Sequence, residues 1–178
     1  INDIKQICKT RGLKFEWAFL LDALKTERDQ GITIDTTQIF FKSDIRNYVF
    51  IDAPGQKEFL KNMITGATSA QLAILIIDGQ EGIQEQTKRH VYLLSLLGIK
   101  NVIVVINKMD LINYDKNKFA DLETQITRYL KSINIKIMAI IPVSAWNGDN
   151  IVRKKSLRWY VGKTLLEVLD QFKDKAVN

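Results

Sequence analysis

One cysteine, Cys8, and one histidine, His90, are all that the 178-residue chain offers of either type. A lone thiol closes no internal disulfide, and no Cys/His set exists to hold zinc, so any metal must be bound through oxygen. Proline is almost as scarce, with Pro54 and Pro142 its only representatives, and there is no internal repeat and no low-complexity tract. No apolar run approaches the ~20 residues that a membrane-crossing helix needs. The first segment carries Asp3, Lys5, Lys9, Arg11, Lys14 and Glu16 where a secretory signal would need an uninterrupted apolar core. These absences predict a cytoplasmic protein with no membrane partner. Negative charge is also in deficit: 26 Lys and Arg face 20 Asp and Glu, for a formal charge of +6 and a pI near 9.3. The excess is scattered, which favours a solvated basic surface over a nucleic-acid face. Its densest stretch, Arg153, Lys154, Lys155 and Arg158 beside Trp159 and Tyr160, reads as an exposed loop.

What is present is a 46% hydrophobic chain of the size of one globular domain, here taken as residues 1–178. From Tyr48 onward, short β-branched runs alternate with segments of helical period, the pattern of an α/β fold with a parallel sheet. Strands are expected at Tyr48 to Ile51, Leu72 to Ile77, Val102 to Ile106 and Ile137 to Val143. Helices are expected near Lys57 to Thr65, Gln84 to Leu97, Lys116 to Ser132 and Thr164 to Phe172, with an earlier one from Phe15 to Arg28. Thr36 to Lys42 and Arg46 to Phe50 are joined by so short a turn that they must run antiparallel. The expected sheet is therefore mixed, mostly parallel, with one antiparallel edge strand.

Ligands of open α/β sheets bind outside the carboxyl ends of the strands, so the chemistry is sought in the loops that follow them. After Ile51 comes Asp52-Ala53-Pro54-Gly55-Gln56, in which an acid at a strand tip can hold Mg²⁺ and a glycine lets a backbone N–H approach a phosphate. After Ile106 comes Asn107-Lys108-Met109-Asp110. A carboxylate there accepts both guanine N–H donors, a pattern that adenine does not present, while the lysine stem covers a base face. After Val143 comes Ser144-Ala145, whose backbone can meet the guanine carbonyl oxygen. Ahead of the first strand, Glu27 to Asp35 supplies Thr33, whose hydroxyl can complete a Mg²⁺ shell. Each motif alone is compatible with an ordinary turn; their order and spacing make coincidence a poor account.

Together these segments resemble the P-loop GTPase-type three-layer fold of the translation-factor GTPase superfamily, the elongation factor Tu-like proteins. Glu27 to Asp35 is similar to their effector loop, and Asp52 to Met63 to their second switch. Phe15 to Asp35, Leu94 to Ile99, Gly148-Asp149-Asn150 and Trp159-Tyr160 most resemble the GTPase subunit of sulfate adenylyltransferase, including forms fused to adenylylsulfate kinase. Asn62 to Gly66 and the same Gly-Asp-Asn also resemble elongation factors that carry aminoacyl-tRNA. The resemblance implies GTP and GDP as ligands, Mg²⁺, and a GTP-hydrolysing enzyme. Gln56 would be catalytic, Thr33 and Asp52 would serve the metal, and Asp52, Gly55, Asn107, Lys108, Asp110, Ser144 and Ala145 would bind nucleotide. It implies a catalytic sulfate adenylyltransferase subunit as partner, with aminoacyl-tRNA delivery or a nucleotide-binding domain without turnover as alternatives.

Two departures qualify that expectation. The phosphate-binding Gly-x-x-x-x-Gly-Lys-Ser/Thr loop is missing from the sequence; Gly162-Lys163-Thr164 is a decoy, because Leu157 stands where the first glycine is required. In the family the strand leading to that loop lies between those at Tyr48 and Leu72, so further N-terminal sequence is expected in the biological protein. The second departure is Gln56, where translation-factor relatives usually carry histidine. Its amide can still orient a water molecule.

Overall fold

The structure, a computed structural model, describes residues 36–55, 60–155 and 157–173. The expected helix from Phe15 to Arg28 and the residues Cys8, Trp17, Thr33 and Gln56 lie outside them. Two compact units divide the chain between Thr68 and Ser69.

In the first unit, strand β1 (Thr37–Lys42) pairs antiparallel with β2 (Asn47–Asp52), in register from Thr37 opposite Asp52 to Lys42 opposite Asn47. Side chains alternate between half-buried and exposed along β1, the period-two signature of a strand covered on one face. Ser43 closes the turn: its Oγ accepts from the N–H groups of Ile45 (3.1 Å) and Arg46 (3.2 Å). On the covered face Phe41 stacks on both Tyr48 and Phe50, with centroids 4.6 and 4.7 Å apart. Helix α1 (Leu60–Ala67) packs against β2. A Cβ on Gly66 would overlap Thr36 and press Ile51 Cγ2 at 3.0 Å, so glycine is what lets the helix approach this closely.

The second unit has the order β3 (Ala73–Asp78), α2 (Glu85–Leu96), β4 (Asn101–Asn107), a 3₁₀ turn (Met109–Ile112), α3 (Lys116–Ser132), β5 (Lys136–Pro142) and α4 (Leu165–Gln171). The strands form a parallel sheet ordered β3-β4-β5. Central β4 reads as a continuous apolar run, and Val102 to Ile106 are buried, as a strand covered on both faces requires. The antiparallel pair and the parallel ladder are thus both present, as separate sheets among the described residues.

Helix boundaries follow local chemistry. Asp115 caps α3 by accepting from Asn117 N–H (2.7 Å) and Lys118 N–H (3.0 Å). Along α3, Phe119, Leu122, Ile126 and Leu130 recur at helical spacing and are buried. Helix α2 stops at Gly98, whose φ of +77° lets the Ile99 N–H return to Leu94 O at 3.0 Å. Thr164 caps α4: its Oγ accepts from Glu167 N–H at 3.3 Å while the Glu167 carboxylate accepts from Thr164 N–H at 2.7 Å. The Gly162-Lys163-Thr164 triplet is therefore a helix entry, as its sequence context implied. Tyr160 packs with Phe119 and Trp159 in an aromatic cluster (centroids 5.2–6.4 Å apart), and burial pushes its phenol up to about 12. Among the described residues no helix is long and apolar enough to cross a membrane.

Ile126 and Leu130 are fully buried on α3. Truncating either to alanine should cost about 2–5 kcal/mol, the transfer loss plus the cavity. Urea unfolding followed by circular dichroism checks this; a loss below about 1 kcal/mol would mean that the face is not core.

Candidate functional site

Because β4 and β5 run parallel, the loops that leave them emerge on the same side of the sheet. Backbone and side-chain hydrogen bonds then stitch those loops together. Val143 N–H donates to Ile106 O at 2.8 Å, and Met109 N–H returns to Val143 O at 3.1 Å, carrying the ladder past the strand ends. Asn107 Oδ1 accepts from Ala145 N–H at 2.9 Å, and Asn107 O accepts from Gly79 N–H at 2.8 Å, which ties in the end of β3. Asn107, Ala145 and the β3 terminus are thereby brought together.

Lys108 takes a left-handed conformation (φ +60°) and turns the chain into the 3₁₀ segment that carries Asp110. Such a conformation is strained for a residue with a Cβ and persists where its surroundings hold it. Here Met109 is wholly buried, and Lys108 Nζ reaches Asp78 Oδ2 at 2.6 Å. The other oxygen of Asp78 accepts from Gln80 N–H (2.7 Å) and Glu81 N–H (3.2 Å). Burial by itself raises the Asp78 carboxyl, but the Lys108 ammonium and the two backbone donors outweigh it and hold Asp78 below its ordinary value. The same pairing raises Lys108. Asp110 is half-buried, and its carboxylate forms no hydrogen bond or ion pair among the described residues.

Ser144 is fully buried; its Oγ accepts from Asn147 N–H at 3.2 Å, and its backbone exchanges bonds with Asp149 (3.0 and 3.4 Å). Asn150, also fully buried, donates through Nδ2 to Pro142 O (2.7 Å) and accepts at Oδ1 from Lys155 N–H (2.6 Å). An apolar side chain at 150 would leave both groups unsatisfied. Trp146 is 87% exposed, while Trp159 packs on Phe119. His90 lies half-buried on α2 with its ring 3.2 Å from the Gln86 amide. Arg153, Lys154 and Arg158 are exposed, in keeping with the loop reading.

Asp52 and Gly55 belong to the first unit, Asp52 ending β2 with an exposed side chain and Gly55 exposed beyond it. Asp52 is an oxygen donor at a strand tip, which suits Mg²⁺, an ion typically held by one or two carboxylates plus phosphate oxygens and water. No group of three or more His, Cys, Asp or Glu placed to hold a metal occurs among the described residues. Sequence reasoning missed Asp78 and its pairing with Lys108. It also passed over Tyr114, Asp149, Asn150 and Lys155 as structural parts of the site. The only signal for them was the Gly148-Asp149-Asn150 triplet.

An α/β sheet whose strand-end loops carry Asn-Lys-x-Asp and Ser-Ala, stitched to each other, defines a GTP-binding domain. More specifically, the chain belongs to the elongation factor Tu GTP binding domain family, whose pattern matches residues 2–175. It is 47% identical over 162 residues to elongation factor 1-alpha of Pyrococcus horikoshii, covering 90% of this chain and 38% of that one. It is 47% identical over the same length to elongation factor 1-alpha of Pyrococcus abyssi. The chain thus spans 38% of the length of these relatives. Among solved structures it resembles a bacterial selenocysteine-specific elongation factor (32% identity, 72% of this chain, 22% of that one, TM-score 0.61). It also resembles sup35 complexed with GMPPNP (27% identity, 76% and 34%, TM-score 0.62). GTP and GDP with Mg²⁺ are the ligands of this family, and the oxygen donor at Asp52 fits that ion.

The Asp78–Lys108 pair yields a pH-dependent prediction. Because the folded-state carboxyl is depressed, its contribution is present above the ordinary carboxylate range and is lost as pH falls through the lowered value. Asp78→Asn should therefore lower stability at pH 7 by about 0.5–1 kcal/mol, small because Lys108 is half exposed and screened by solvent. The two proteins should converge in acid. Denaturant midpoints at pH 7 and pH 3 decide it, and a constant gap at both would contradict the assignment.

Proposed function

We propose that this domain is the nucleotide switch of an elongation-factor-type GTPase that carries aminoacyl-tRNA. The observation that supports it most is the arrangement of the loops: Asn107 bonded to Ala145 across them, with the Asp110 carboxylate without a side-chain partner among the described residues. Asp110 accepts from N1–H and the N2 amino group of guanine, and adenine offers no such pair of donors. The Lys108 stem covers a face of the base, Asn107 sets the edge, and the Ser144-Ala145 backbone faces the guanine carbonyl. On the phosphate side, Asp52 and Thr33 would hold Mg²⁺ through oxygen, and the Gly55 N–H would serve the γ-phosphate. The metal supplies charge neutralisation of the phosphates. Gln56 would orient water for in-line attack, its amide oxygen accepting a hydrogen bond from the water. The identity to elongation factor 1-alpha supports tRNA delivery as the purpose of that cycle.

A second reading, a GTPase that drives adenylylsulfate formation in a catalytic sulfate adenylyltransferase subunit, rests on Phe15 to Asp35 and Leu94 to Ile99, the segments that most resemble that family. The two are separated by asking whether the GTP-loaded full-length protein retains aminoacyl-tRNA on a filter. Retention with GTP and release with GDP supports tRNA delivery. GTP hydrolysis stimulated by a sulfate-adenylylating subunit with ATP and sulfate, without tRNA retention, supports the other.

Base reading is tested by Asp110→Asn, which turns one acceptor into a donor. Affinity for GTP should fall at least ~100-fold, while xanthosine triphosphate, whose C2 carbonyl accepts where guanine donates, should gain affinity. Equal loss for both nucleotides would remove Asp110 from the base edge. In the same full-length protein, Gln56→Ala should slow single-turnover hydrolysis at least ~10-fold with GTP binding retained; unchanged turnover removes that role.

A further inference from the structure

Three side chains beside the base-reading loops form a closed triangle. Tyr114 follows the 3₁₀ turn and is locked to the first loop by its own N–H, which donates to Met109 O at 2.8 Å. Its hydroxyl donates to the Asp149 carboxylate. Lys155 Nζ meets the same carboxylate oxygen at 3.1 Å and lies 4.6 Å from the centroid of the Tyr114 ring. Each corner is anchored separately. Asp149 is bonded through its backbone to Ser144, and the Lys155 N–H is held by Asn150, which is itself tied to the end of β5 at Pro142.

We propose that Tyr114, Asp149 and Lys155 are positioning residues for base recognition, a brace that fixes the loop carrying Asp110 against the loop carrying Ser144 and Ala145. The inference rests on the guanine-binding reading above. Lys108 is already tied to the end of β3 through Asp78, so the segment from Lys108 to Tyr114 is clamped at both ends, with Asp110 between the clamps. An aspartate that must meet two N–H donors on one purine edge needs its angle fixed as well as its distance, since hydrogen bonds weaken steeply as they bend. The β4–β5 ladder fixes one end of the loop; the brace fixes the other.

The test compares guanosine and inosine diphosphates on the full-length protein. Hypoxanthine keeps N1–H and lacks the N2 amino group, so the ratio of the two dissociation constants reads how well Asp110 meets its second donor. The wild-type ratio should be about 10–100, the loss expected for one charge-assisted hydrogen bond. Tyr114→Phe, Asp149→Asn and Lys155→Met should each bring it down at least ~3-fold, with faster release of GDP. Lys88→Ala, which removes an ion pair on α2, should leave the ratio as it is. If the variants weaken both nucleotides equally, or neither, the brace is merely structural and the inference fails while the guanine reading stands. A wild-type ratio near one sinks the guanine reading itself. Should Asp149→Asn unfold, as judged by circular dichroism, Tyr114→Phe alone decides, because it removes one hydroxyl and keeps the ring.

Discussion

The hydrogen bond from the Ala145 amide to the Asn107 carboxamide oxygen is the constraint on which the rest of this site depends. Parallel strands deliver their loops to one side of a sheet but do not by themselves make those loops meet. The meeting is achieved by continuing the β4–β5 ladder through Val143 and Met109, then replacing the next backbone acceptor with the asparagine side chain. A side-chain amide there leaves its NH₂ group free to face a ligand while its oxygen holds the neighbouring loop. Aspartate at this position would offer no donor and leucine no acceptor.

Charge is deployed around this site more specifically than the net +6 of the chain suggests. Two lysines, Lys108 and Lys155, are each paired with an aspartate at the mouth of the sheet, and in both cases the pairing raises the lysine. Exposed pairs of this kind contribute little to stability. Their value lies in direction: Lys108 joins its loop to the end of β3, thirty positions earlier, and Lys155 meets an aspartate that also accepts from Tyr114 in the other loop. The other basic residues of the Arg153–Arg158 stretch are exposed, so one sequence cluster contains a structural lysine among solvated neighbours.

Periodicity made the elements legible. The β-branched runs gave β3, β4 and β5 to within a residue or two, and the apolar spacing of Phe119, Leu122, Ile126 and Leu130 gave α3. The strand-end motifs were legible because they are contiguous and their spacing follows from the fold. Asp78, Tyr114 and Lys155 were not, because their roles arise from contacts across 30 or more positions of sequence, as Tyr114 with Asp149 shows with a separation of 35. No local rule marks a tyrosine after a 3₁₀ turn as the partner of an aspartate in another loop. Asn150 was half legible: its triplet stood out as a resemblance, while its work, satisfying Pro142 O and the Lys155 N–H inside the protein, appears only once the loop is folded.

The base is common to GTP and GDP, so groups that read it gain nothing from changing between the two states. Loops tied by backbone bonds to β3, β4 and β5, and held by buried Met109, Ser144 and Asn150, are preorganised in the way such a reader requires. The residues assigned to the phosphates, Thr33, Asp52, Gly55 and Gln56, come from other segments, ahead of Ser69, and a switch must sense the γ-phosphate there. On the proposed reading, separating the two tasks along the chain would let affinity for the nucleotide rest on a fixed base site while discrimination between its two forms rests elsewhere. A ligand shifts a conformational equilibrium only through contacts that differ between the states. On the reading proposed above, the loops around Asn107 and Ser144 would hold the nucleotide, and the segments that carry Thr33 and Gly55 would carry the signal.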